Sequence, residues 1–176
     1  MKIAKLKIAK LKICAGFTLV ETALYVAITS ILLLGITAFY TITLESRVRN
    51  QVVTEVDEQG AFVLRLITQT ATNALSIDAP SSGAASSLTL TMPVSGDSPT
   101  ELGLGGGAIY VREGAGSDIN LTSSRVIASN LSFRNLTPAG SPGVIRISFT
   151  LEHVNPAVRR EYDYAQTFYG TASLRQ

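Results

Sequence analysis

Cysteine occurs once in this chain, at Cys14, histidine once, at His153, and tryptophan not at all. One histidine and one cysteine far apart in sequence cannot make a transition-metal cluster, and a lone thiol cannot close a disulfide. Lysine is confined to Lys2, Lys5, Lys7, Lys10 and Lys12, and no proline occurs between Phe17 and Ala79. From Thr22 to Leu44 there is no charged residue. These absences exclude a disulfide scaffold and leave a proline-free stretch long enough for one extended helix.

The uncharged run is the most informative segment. At about 1.5 Å per residue, Thr22–Leu44 forms a helix of roughly 35 Å, enough for a hydrocarbon core of about 30 Å. Basic residues precede it, and Glu45, Arg47 and Arg49 follow it. A basic flank before the first apolar helix predicts the N-terminus inside and the C-terminus outside. A secretory signal would have a small-residue cleavage site after its apolar region; none follows Leu44, whereas Ala15-Gly16 precedes the run. Cys14 follows a charge and a bulky side chain, Lys12-Ile13, which argues against lipidation.

The overall charge of +2 misleads. Without residues 1–16, ten arginines face thirteen carboxylates, a balance of about −3. The remainder carries no basic cluster interleaved with aromatics, so nucleic-acid binding is not indicated. At 176 residues and 46% hydrophobic, the chain has room for one core beside an anchor.

Past the run, Val48, Val52, Val56, Val63, Ile67, Ala71 and Ala74 recur at helical spacing, interrupted only by Gly60. A helix from about Phe17 to Leu75 would measure roughly 90 Å. Asp78-Ala79-Pro80-Ser81-Ser82-Gly83 ends the pattern. Strands are predicted at Ser87–Met92, Ala108–Arg112, Ile119–Ser123, Val126–Phe133, Val144–His153 and Glu161–Tyr169, in an antiparallel sheet. Ile145, Ile147, Phe149 and Leu151 alternate with Arg146, Ser148 and Thr150, so one face packs on the helix. The fold class is α+β.

Chemistry-bearing motifs are few. His153 lies in a predicted strand without a nucleophile signature, which favours a structural histidine over a catalytic one. Gly103-Leu104-Gly105-Gly106-Gly107 lacks the Lys-Ser/Thr of a phosphate loop and reads as a flexible turn. Asp97, Glu101 and Asp118 match no calcium-loop spacing. Asn120, Asn130 and Asn135 open Asn-x-Ser/Thr triplets, a weak signal in a Ser/Thr-rich chain. The reading is non-enzymatic, with no cofactor and no metal.

Lys12-Ile13-Cys14-Ala15-Gly16 followed by Phe17-Thr18-Leu19-Val20-Glu21-Thr22 resembles the class III signal of the type IV pilin and pseudopilin family. The resemblance implies a leader, 1–16, cut between Gly16 and Phe17 by a prepilin peptidase, with methylation of the new Phe17 amine. It implies a membrane-spanning and filament-core helix, 17–44, an amphipathic half, 45–77, and a globular antiparallel region, 78–176. Glu21 becomes the fifth residue after the cut, where the family carries an acid that meets a neighbouring subunit's amine. A buried carboxylate at membrane depth is costly unless paired, so Glu21 is a functional candidate on physical grounds too. Many relatives carry a proline within the membrane helix; here Gly35, near Thr29, Ser30 and Thr37, is the weakest point for helix propensity.

Arg65-Leu66, Leu131-Ser132-Phe133-Arg134 and Leu174-Arg175-Gln176 resemble minor pilins and J-type pseudopilins. The implied partners are other pilin or pseudopilin subunits, the peptidase, a membrane platform protein and an assembly ATPase. The implied location is the bacterial inner membrane, then a surface or periplasmic filament. Three readings stay open: a minor pilin of a type IV pilus, a pseudopilin of a type II secretion system, and a single-pass anchored binding domain that does not polymerise.

Overall fold

The computed structural model describes residues 18–138 and 140–175. Among the described residues one α-helix, α1 (Leu19–Asn73), leads into nine strands. The chain divides into one unit ending at Thr43 and a second running from Leu44.

The first unit is the apolar start of α1. Thr18 caps it: the Glu21 amide donates to Thr18 Oγ1 at 3.3 Å, satisfying one of the backbone donors a helix start leaves unpaired. Every position from Thr22 to Ile42 is exposed, including Leu32, Leu33, Leu34 and Phe39. The helix is unbroken through Gly35, where an added Cβ would meet nothing.

In the second unit, α1 buries Val52, Val56, Gly60, Val63, Ile67 and Ala71, the stripe expected from the sequence. Val48, at the head of that stripe, is only half-buried. The helix closes with a tightened turn, the Ala74 amide donating to Ala71 O, and the next amide, Leu75, already donates to Thr91 O in a strand. The chain therefore enters a sheet before the predicted breaker at Pro80.

The strands form two antiparallel sheets rather than the single one expected. The first has the order β1 (Ser76–Ala79), β3 (Leu88–Thr91), β4 (Thr100–Gly105), β5 (Ala108–Glu113), β6 (Ile119–Asn120). The second has the order β2 (Gly83–Ala85), β7 (Val126–Asn135), β8 (Val144–His153), β9 (Ala165–Ser173). Leu88, Leu90, Leu102 and Ile109 from the first and Phe133, Ile145, Ile147, Phe149 and Leu151 from the second join the helix stripe in one core. The alternation read in β8 holds in full: its odd-numbered residues from Ile145 to Leu151 are buried.

Three readings of the chain need correction. Gly103–Gly107 is not a flexible turn, because Gly103 and Gly105 belong to β4. Only Gly106 and Gly107 turn, at φ of 60° and 80°, closing a tight β4–β5 hairpin of the kind that needs two left-handed residues. Gly103 leaves room for the Tyr110 side chain lying across it, whose hydroxyl is 2.6 Å from where a Cβ would stand. The last strand begins at Ala165 instead of Glu161, residues Arg160–Tyr162 forming a short 3-10 turn. β6 stops at Asn120, and the Leu121 amide reaches back to Ile109 O.

Candidate functional site

Glu21 sits in the first turn of α1, where the helix dipole favours a negative charge. Its Oε1 accepts a hydrogen bond from the Tyr25 hydroxyl at 3.2 Å, one turn further along the same face. Its Oε2 makes no hydrogen bond among the described residues. Gly16 and Phe17, the expected cleavage and methylation positions, lie outside the described residues. Tyr25 as a partner of Glu21 was not singled out from the sequence, although its spacing of four carries that signal.

Behind Glu21 the apolar helix handles its own polar groups. Thr22, Thr29, Ser30, Thr37, Thr41 and Thr43 each donate their hydroxyl to a carbonyl three or four residues earlier, at 2.7 to 2.9 Å. These are all the serines and threonines between Thr22 and Leu44. A hydroxyl exposed to hydrocarbon without a partner costs several kcal/mol, on the order of a lost hydrogen bond or more. Hydroxyls folded back onto the backbone avoid that cost. A helix apolar on every side is stable only when something apolar surrounds it. α1 is long and apolar enough to cross a membrane, a weak indication of membrane anchoring.

No protein family, curated protein or solved structure matches this chain. The long apolar N-terminal helix, continuing as a stripe packed on antiparallel sheet, is compatible with a pilin-like fold.

The remaining candidates occupy ordinary structural positions. His153 is buried in β8; its Nδ1 lies 3.0 Å from Val154 O and its Nε2 3.9 Å from Glu55 Oε2, with the Tyr162 ring 5.5 Å away. Glu55 also pairs with Arg125 at 3.4 Å. Glu101 and Asp118 converge on one cation, the Arg112 guanidinium, at 3.3 and 2.6 Å. Both acids raise the pKa of that guanidinium, Asp118 first through its hydrogen bond and charge and Glu101 through its charge. Asp97 is placed elsewhere, its carbonyl accepting from Thr100 Oγ1. Asn135 spends its amide on Pro80 O, while Asn120 and Asn130 are exposed.

Proposed function

We propose that this chain is a structural subunit of a type IV pilus or a related filament, anchored through α1 and processed at Gly16. The observation that carries the reading is Glu21: one carboxylate in the first turn of α1, at the head of a segment that is uncharged from Thr22 to Leu44 and whose serines and threonines are internally satisfied. A free carboxylate oxygen at that depth asks for a cation, and the amine that cleavage would create at Phe17 is the natural source. Supplied by a neighbouring subunit, that amine fixes axial register; supplied by the same chain, it only neutralises the acid.

In this reading the chain waits in the inner membrane with its C-terminus outside, and burial of the apolar segment among other helices drives assembly. Prepilin peptidase, other pilin or pseudopilin subunits, a platform protein and an assembly ATPase are the partners. A type II secretion pseudopilin is the second reading.

Mass spectrometry of the N-terminus of the cellular protein tests the processing step. The expected mass begins at a methylated Phe17; a chain retaining Met1 or Lys2 contradicts it and leaves a plain anchored domain. Glu21→Ala protein is expected to insert and to be cleaved normally but to be lost from sheared surface filaments. Wild-type incorporation of that variant overturns the role given to Glu21.

A further inference from the structure

The outer face of the four-stranded sheet carries an arrangement that the filament reading does not use. Arg134 of β7 stands directly opposite Arg146 of β8, both exposed. Directly opposed residues hold their Cβ atoms about 5 Å apart, and like charges so placed destabilise a sheet. Neither arginine is in an ion pair among the described residues, whereas Arg112, Arg125 and Arg159 each have carboxylate partners.

Their neighbours on the same face are all uncharged. Arg146 is flanked on β9 by Thr171, and Arg134 on β2 by Ala84. The next row along the strands is Ser132 opposite Ser148, with Tyr169 beside Ser148. The only carboxylate these strands place on that face is Glu152, six residues from Arg146 and so roughly 20 Å along β8. Two arginines and two serines thus stand in adjacent rows of one face, and Tyr169 lies one strand away, two-thirds exposed.

We infer that the Arg134–Arg146 pair with Ser132 and Ser148 is a binding site for a tetrahedral oxyanion, a phosphate or sulfate group. Guanidiniums bind such groups through paired N–H donors, and a bound dianion turns the repulsion between the arginines into shared attraction. A tetrahedral group uses donors from both rows, which a planar carboxylate cannot do equally well. The ion arrives either free or as an ester on a sugar, whose ring then rests on Tyr169.

Thermal unfolding of the full chain in uncharged detergent tests the site without reference to filament formation. At constant ionic strength, replacing chloride by tens of millimolar phosphate or sulfate is expected to raise Tm by roughly a few degrees, as ligand linkage requires. Arg134→Gln and Arg146→Gln are each expected to abolish the rise, while Arg65→Gln, an exposed arginine on α1, retains it. No rise over chloride in wild type overturns the proposal, as does an undiminished rise in the double variant. A hexose phosphate distinguishes the two sources. A shift larger than that of inorganic phosphate, falling to the inorganic value in Tyr169→Ala, assigns the site to an ester, and equal shifts assign it to the free ion.

Discussion

Gly60 owes its place to Phe168. A Cβ on Gly60 would stand 2.0 Å from the Phe168 ring, which stacks on the buried Phe149 at 5.3 Å between centroids. Read along the sequence, Gly60 only interrupts an apolar stripe, because nothing local announces that a ring from β9 needs the helix backbone at that turn. Gly60→Ala is therefore expected to lower stability, although alanine is the better helix former by about 1 kcal/mol. With Phe168→Ala already in place the same change should stabilise, by up to about that propensity difference. Denaturant unfolding of the four proteins of the cycle reads the change of sign; a destabilising Gly60→Ala in both backgrounds would refute the contact. By contrast Glu21 was legible at once, since a single carboxylate heading an uncharged run is visible without any structure. Its hydrogen-bond partner was legible only through spacing.

At the scale of the element, β7 shows how one residue sets a face. Val126 and Ala128 point into the core, and so do Leu131 and Phe133, although strict alternation would put the second pair outside. The register shift between Ser129 and Ser132 inserts one extra residue and restores the inward phase, with Asn130 at φ 53°. Asn130→Gly is expected to be nearly neutral, and Asn130→Val to cost about 1–2 kcal/mol for a branched residue in a left-handed conformation. Deleting Asn130 removes the extra residue and leaves a regular strand in which Leu131 and Phe133 face the core by alternation alone, so the shortened protein is expected to keep cooperative unfolding, read by near-ultraviolet circular dichroism. The sequence made β8 readable because its alternation is uninterrupted, and α1 because its stripe repeats for many turns. β4 and β1 were not read: β4 is glycine-rich where Tyr110 covers it, and β1 is four residues long and directly follows the helix. β9 was displaced because Gln166-Thr167-Phe168-Tyr169-Gly170 alternates only weakly.

For the whole molecule, the helix and both sheets share one core, so the tyrosines at its margins report on folding. The Tyr164 phenol is pushed above its ordinary range, first by burial and then by Asp57, to which its hydroxyl donates at 3.4 Å. Tyr110 is raised likewise, by burial and then by Glu101. A phenol whose folded pKa lies above the unfolded value of about 10 holds its proton longer in the native state. Its stabilising effect is complete below pH 10 or so and fades as pH climbs through the folded value. Stability measured by urea unfolding should therefore fall above about pH 10, and the fall should be shallower in Tyr164→Phe. An equal slope in both proteins would show that Tyr164 does not contribute. The class of the fold, helix then antiparallel strands, was legible at this scale, while the division into two sheets was not. That division rests on β4, which is glycine-rich, and on β1 and β2, which are four and three residues long.

The hydroxyls of the apolar segment have a further consequence. Because each serine and threonine between Thr22 and Leu44 is closed onto its own backbone, these side chains carry their polar satisfaction with them and offer none to their surroundings. If, as proposed, the segment passes from lipid into a bundle of helices, these hydroxyls exchange no hydrogen bond in the move, and for them the two environments differ only in shape and dispersion. Neighbouring helices in such a bundle would slip or turn against this one without breaking a contact to these hydroxyls, and the one charged coordinate they would meet between Leu19 and Leu44 is the Glu21 carboxylate at its head.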